Sequence, residues 1–457
     1  MVRVPEALQP VPIRKRLRWR VGTQCVEINV AMWHARRMAT QQFDWSVQAS
    51  NVAWEEIRAG AFAVARDFLR ASGEDHAQEL AEARDLDLLK RLNVIAPNGT
   101  LTNAGVLAFI GRGEAALDFI RRPGAGEDSQ LRIRRDGRSL LQELAEVFQV
   151  LEGTVPAVHM PQGLIVGQAR EIPLGAAREA IVNGVAHREW SVPGPTVVEY
   201  VGSYLRVTSP GGFVQGITPD NILTHPSRSR NTSLAELLAL LRVAEREGVG
   251  VDRMFRDMVR LGHEPPTIEE LDGPYVRTTL IGGEADRAWI AWLRRIQGSR
   301  PAAIDLNSLL TLRLVLDRGW ADETSIARII QDSTAVARSS VYALLVAEGR
   351  EFAPLMPVEG TVDEQGPSWR LSHEAEDALR ELDMQTGRMR QWPSREQIAR
   401  SYVDQRGRIS STELASLTRA APSNVGRVLK DLEDAGLVEP SWPSRRGRGF
   451  HYRSKRR

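Results

Sequence analysis

Cysteine is almost missing from this 457-residue chain. Cys25 stands alone, which excludes an internal disulfide and any cysteine cage for a metal. Lysine is nearly as scarce: Lys15, Lys90, Lys430 and Lys455 are all there are, and none follows a glycine. The G-x-x-x-x-G-K-[ST] phosphate loop of a helicase motor is therefore absent. No H-E-x-x-H, C-x-x-C or G-x-S-x-G occurs, which argues against a zinc protease, a zinc ribbon and a serine hydrolase. The 8 histidines are scattered, so a histidine-based metal site is not expected. No apolar run nears the ~18–20 residues of a membrane span. The start, Met1-Val2-Arg3-Val4-Pro5, has no signal-peptide core. A cytoplasmic protein with no membrane partner is expected.

What remains is ordinary globular material, 42% hydrophobic and 26% charged, long enough for three or four domains. The formal net charge is +2, too small for the whole chain to act as an electrostatic nucleic-acid binder. The charge is uneven, because Arg445 to Arg457 carries seven basic residues and no acid. Arginine outnumbers lysine throughout, which genomic base composition alone would produce.

Residues 14–29 read as one or two strands, 54–92 as helical, Leu131-Arg132-Ile133 as a strand and Leu140 to Leu151 as a helix. The block 165–285 alternates: a helix from Ile172 to Trp190, a strand pair Thr196–Tyr200 and Tyr204–Thr208, helices Ser233–Leu241 and Gly250–Leu261, and a strand Tyr275–Ile281. In the first of these helices Leu174, Ala177, Ile181 and Val185 form an apolar stripe, while Glu179, Asn183 and His187 stack at i, i+4 and i+8. An amide oxygen at Asn183 suits Mg²⁺, and a carboxylate one turn away at Glu179 can act on a water. A solvated helix face would show the same spacing. Ser209-Pro210-Gly211-Gly212-Phe213 then follows a strand, Ser227-Arg228-Ser229-Arg230-Asn231 leads into a helix, and Gly248-Val249-Gly250-Val251-Asp252-Arg253 opens another. Paired glycines admit close backbone approach, and a helix start offers free N–H groups to phosphate.

In this order and spacing the four segments resemble the Bergerat-type ATP-binding domain of the GHKL superfamily. The nearest likeness is its branch of bacterial proteins described as transcriptional regulators or RecG-related ATP-binding proteins, with E-A-x-x-N-A-x-x-H-R-D, S-P-G-G, S-x-x-R-N and G-x-G-x-x-R. The resemblance implies ATP and Mg²⁺ as cofactors, with Glu179 as general base and Asn183 as metal ligand. It implies nucleotide contacts from Asn183, His187, Arg188, Gly211, Gly212, Arg230, Asn231, Gly248, Gly250 and Arg253. Two departures stand out: no Asp holds the adenine position before Gly211-Gly212, and Glu189 replaces the usual Asp. Whether ATP is hydrolysed is left open. The segment Arg18-Trp19-Arg20-Val21-Gly22 resembles the last strand of an AlbA-like (Schlafen-type) domain, and an unrelated hairpin would read alike.

Residues 394–457 read as a winged helix: Ser394–Arg406, a short helix capped by Ser411, then Ala421 to Leu432 with Val425, Val428, Leu429 and Leu432 inward. Ser423, Asn424, Arg427 and Lys430 lie away from that face, and the wing tip carries Arg445, Arg446 and Arg448. This is the pattern for double-stranded DNA, though protein contacts would also suit it. Residues 301–375 give a weaker, less basic version, for which a structural or dimer role fits as well. The expected fold class is α+β and multidomain, with a central Bergerat-type α/β sandwich and C-terminal winged-helix modules. The expected divisions are 1–50, strands with an AlbA-like remnant; 51–125, helical; 126–290, ATP-binding; 291–385, winged-helix-like; and 386–457, DNA-binding. The functional expectation is a nucleotide-responsive transcriptional regulator, acting as a homodimer on paired half-sites. The alternative is an ATPase component of a nucleic-acid-processing or antiphage system.

Overall fold

The computed structural model describes residues 12, 16–21, 24–30, 32–33, 44–162, 165–214, 216–244, 248–298, 304–346, 351–442 and 449–455. It is a mixed α+β structure of two compact units, Met1–Met258 with His263–Ala285, and Val259–Gly262 with Asp286–Arg457. Among the described residues no helix is long and apolar enough to cross a membrane.

The first unit opens with β1 (Leu17–Val21) and β2 (Gln24–Ile28), which pair antiparallel with each other. The helical stretch breaks into α1 (Ala59–Ala71), α2 (Asp75–Ala81) and α3 (Asp85–Arg91), followed by α4 (Asn103–Phe109). Then come β3 (Leu117–Arg122), β4 (Leu131–Ile133), α5 (Leu140–Thr154) and the hairpin β5 (Ala157–Gln162) with β6 (Ile165–Arg170). The rest is α6 (Leu174–Ala186), β7 (Thr196–Val201), β8 (Tyr204–Pro210), α7 (Thr232–Leu240), α8 (Gly250–Arg260), β9 (Thr267–Leu271) and β10 (Tyr275–Ile281).

Six of these strands form the central sheet, in the order β4-β3-β7-β8-β10-β9. β3 and β7 run parallel and every other neighbour is antiparallel. Side chains alternate across the sheet. Val198, Tyr200, Leu205 and Val207 are buried, whereas Glu199 takes Arg122 at 2.8 Å and Arg206 at 3.9 Å on the other face. α5 and α6 pack against the strands. α6 is shorter than the Ile172–Trp190 expected: Pro173 occupies its N-cap and His187 its C-cap. Helix α7 has no side-chain cap of its own. Asp44 and Ser46 supply one from far upstream, accepting the Ser233 and Leu234 N–H groups at 3.0 and 3.2 Å.

The second unit repeats one order twice. After α9 (Arg287–Gln297) come α10 (Leu306–Arg318), β11 (Ala321–Asp322), α11 (Glu323–Ile330), α12 (Thr334–Leu344), β12 (Leu355–Pro357) and β13 (Ser368–Leu371). After α13 (His373–Thr386) come α14 (Arg395–Arg406), β14 (Arg408–Ile409), α15 (Ser411–Thr418), α16 (Pro422–Asp434), β15 (Val438–Pro440) and β16 (Tyr452–Ser454). The sheets correspond too, as β11-β13-β12 and β14-β16-β15. The cap of α15 is Ser410, not Ser411: its hydroxyl accepts the Glu413 N–H at 3.1 Å and Glu413 returns the bond at 2.7 Å.

The two repeats share a core. Trp320 and Val358 of the first pack among Tyr402, Leu414 and Val425 of the second. The hairpin joining β12 to β13 lies on the second repeat. Glu359 N donates to Ser416 Oγ at 3.0 Å, Gln365 Nε2 to the Arg406 carbonyl at 2.5 Å, and Arg406 to the Gly366 carbonyl at 2.7 Å.

Candidate functional site

Helix α6 is pressed onto the sheet through Gly184. A Cβ there would stand 2.8 Å from Val207 Cγ1, and the Gly184 carbonyl accepts Thr196 Oγ1 at 3.2 Å and Ser209 Oγ at 2.5 Å. Ala177, Ile181 and Val185 are fully buried, as the apolar stripe requires, while Leu174 is only half-buried. The polar edge forms as spaced: Asn183 Nδ2 donates to Glu179 Oε1 at 2.9 Å, and His187 closes the helix by donating its backbone N–H to the Asn183 carbonyl.

Asn183 and His187 open onto a cavity of about 140 Å³ that also meets Gly211, Gly212 and Gly248. Its wall is apolar, with Val207, Phe213, Ile217, Met254, Ile268 and Val276. Burial and the nearby Arg230 guanidinium push the His187 imidazole down to about 4, so it is neutral at physiological pH. Gly248 has φ +70° and lies against Ser227, so a side chain would strain the backbone there. Gly250 is tied to Glu179: a Cβ at Gly250 would overlap the Glu179 carboxylate. Glu179 therefore sits behind Asn183, at the start of α8. Arg253 is exposed on that helix.

Three residues expected to contact nucleotide do other work. Arg230 forms an ion pair with Glu189 at 2.8 Å and donates to the His187 carbonyl at 3.2 Å and the Gly212 carbonyl at 2.7 Å. Asn231, 2% exposed, donates to the Ala186 and Arg188 carbonyls at 2.9 and 2.8 Å. Both clamp the end of α6 to the loop after β8. Arg188 turns away into a different cavity and donates to the Val192 and Gly194 carbonyls. The backbone's otherwise unsatisfied carbonyls take the side chains of Arg188, Arg230 and Asn231.

Thr278 and Glu270 belong to none of the four sequence segments. Thr278, on β10, lines the cavity and is 8% exposed. The sequence does carry a signal for it, since Val276, Thr278 and Leu280 alternate along the strand Tyr275–Ile281. Glu270, on β9, accepts the Phe213 N–H at 2.9 Å and packs on Gly212, a contact made across 57 residues of sequence that no local pattern reveals.

In the second unit Ser423, Asn424, Arg427 and Lys430 of α16 are all exposed, opposite buried Val425, Leu429 and Leu432. Arg445, Arg446 and Arg448 lie outside the described residues.

Residues 198–280 match the family described as "Putative ATP-dependent DNA helicase recG C-terminal". No curated protein matches the chain. Among solved structures, the chain is similar to the crystal structure of the DIP2311 protein from Corynebacterium diphtheriae, with a TM-score of 0.65 and 31% identity over 80% of this chain and 72% of that one. The chain thus belongs to the same family as the DIP2311 protein and carries, around the cavity just described, an ATPase-like domain of the RecG-related branch.

Proposed function

We propose that the chain is an ATP-binding, DNA-binding protein that acts as a nucleotide-responsive transcriptional regulator. The observation that carries this is the cavity itself, where Asn183 and His187 meet the Gly211-Gly212 and Gly248 backbones over an apolar wall. At about 140 Å³ it is below the roughly 300–1,000 Å³ of a drug-sized ligand site. It suits one ring of a nucleotide, with the phosphates toward Gly248 and the start of α8. Among the described residues that line the cavity there is no Asp for the base, and the Ser209 hydroxyl is held by Gly184. Thr278 is the buried hydroxyl left on the wall to read a base edge.

The residues fit Mg²⁺ as a partner of phosphates. The bond from Nδ2 to Glu179 leaves Asn183 Oδ1 for the cation. Among the described residues no cluster of three His, Cys, Asp or Glu could hold a metal by itself. Mg²⁺ would supply charge neutralisation of the phosphates, and Glu179 would orient or deprotonate a water.

The order helix, strand, helix, helix, strand, strand supports the winged-helix reading of both repeats. The exposed polar face of α16 is the recognition surface for double-stranded DNA, and the Arg445, Arg446 and Arg448 segment contacts phosphates. Pairing of half-sites by a homodimer belongs to the same reading. The test is the melting temperature of the full chain with ATP, with and without Mg²⁺. ATP and Mg²⁺ should raise it by linkage, and Asn183→Ala should remove the Mg²⁺-dependent part. The absence of any shift with millimolar adenine or guanine nucleotide refutes the reading.

A further inference from the structure

The first unit holds a second cavity, of about 270 Å³, that shares no lining residue with the first. Its floor is Arg188, Trp190 and Glu143, exposed by only 4%, 4% and 3%. The Arg188 guanidinium stacks 4.5 Å above the Trp190 ring and donates through Nη2 to two backbone carbonyls. Among the described residues neither Arg188 Nε nor Trp190 Nε1 meets an acceptor, and no carboxylate lies within ion-pair distance of Arg188. A buried cation without a paired anion, beside a buried indole N–H without an acceptor, is a costly arrangement unless something else completes it. Arg112, on the rim, donates to the Trp190 carbonyl at 2.5 Å and adds a second positive charge to the same wall.

We propose that this cavity is a binding site for a small oxyanion, a phosphoryl or carboxylate group, received by Arg188 Nε, the Trp190 indole N–H and Arg112. The cavity's acids allow it. Glu143 is turned toward the backbone, accepting the Ala116 and Leu117 N–H groups at 3.1 and 2.8 Å. Burial pushes its carboxyl up to about 7, so it does not present a full negative charge to the cavity. Glu114 is exposed on the rim. The chain passes from His187, on the first cavity, to Arg188, on the second, in one residue. An anion held here would therefore fix the segment that ends α6.

The test is calorimetric titration of the full chain with potassium phosphate and, separately, potassium acetate, ionic strength being matched with potassium chloride. Saturable binding of either anion is expected, and which one binds identifies the ligand as phosphoryl or carboxylate. Trp190→Phe, which keeps an aromatic ring and removes the N–H, should weaken binding by about tenfold, near the worth of a charge-assisted hydrogen bond. Arg112→Gln, at an exposed position, should weaken it as well and serves if Trp190→Phe does not fold. Asn183→Ala should leave it unchanged. No saturable binding of either anion overturns the proposal. So does binding indifferent to Trp190→Phe and Arg112→Gln, or binding lost in Asn183→Ala.

Discussion

Arg230 and Glu189 form a 2.8 Å ion pair with side chains only 7% and 13% exposed. Around it Arg230 also holds the His187 and Gly212 carbonyls, so one guanidinium joins the end of α6 to the glycine loop. Gly211, with φ +106°, makes this closeness possible, because a Cβ there would stand 2.8 Å from Glu189 Cβ. Arg230→Met should cost about 3–5 kcal/mol, the effect of leaving a buried charge unpaired. Adding Glu189→Leu should recover part of it. Urea unfolding of the two variants checks this, and a loss under 1 kcal/mol would show that the pair contributes little.

Glu179 is the candidate base. Glu179→Ala should retain ATP binding and lower any turnover by about 10²–10⁴, measured as phosphate release against a thermal-shift control. Equal rates in variant and parent would make Glu179 a structural residue and the domain a sensor of ATP rather than a hydrolase.

The pH dependence contains two opposed terms. Glu143 is pushed up from 4.5 to about 7 by burial, so the folded state binds more protons between these values and stability falls as pH rises through them. His187 is pushed down from 6.5 to about 4 by burial and Arg230. Its contribution is complete above 6.5 and is lost as pH falls toward about 4. In the parent the two slopes offset each other between about 4.5 and 6.5. Glu143→Gln should therefore compare more favourably with the parent at pH 8 than at pH 4, by at most about 3 kcal/mol. His187→Gln should compare more favourably at pH 4 than at pH 8. Denaturant titrations at the two pH values separate the terms, and profiles parallel to the parent's would contradict both.

DNA binding, if α16 reads the major groove, divides by residue. Replacing Arg445, Arg446 and Arg448 together should weaken binding to all sequences and flatten its salt dependence, since fewer counterions are released. Asn424→Ala or Arg427→Ala should instead reduce discrimination between sites by about 1–3 kcal/mol per lost base contact. Electrophoretic shifts of genomic fragments at several salt concentrations distinguish the two. If no fragment binds, with or without ATP, α16 faces a protein.

Local signals carried far in this chain. β4 and β10 have the bounds that their composition and alternation give, and the Glu179 and Asn183 side chains meet because four residues make about one helical turn. β3 has no such local signal, because it lies inside the sheet beside β7 and shows no alternation. Its buried Asp118, paired with Arg132 at 2.6 Å, also interrupts the apolar run. At the site, the residues on α6 were legible. Thr278 and Glu270 reach it through strand pairing, which links positions far apart in sequence. Arg188, Arg230 and Asn231 show the limit of a motif: it locates a residue along the chain but leaves open which acceptor its side chain will find.

The hairpin that the first repeat lays on the second also governs how this part of the chain can be cut. The loop that joins β12 to β13 has its backbone and side chains bonded to Arg406 and Ser416, and Trp320 lies edge-on to Tyr402 at 4.6 Å. A protease that nicked the connection between α13 and α14 would leave two fragments still associated, each exposing an apolar face if they were pulled apart. Gene truncation at that junction would give an aggregation-prone remnant instead of a smaller working domain. The pair is thus a single structural part.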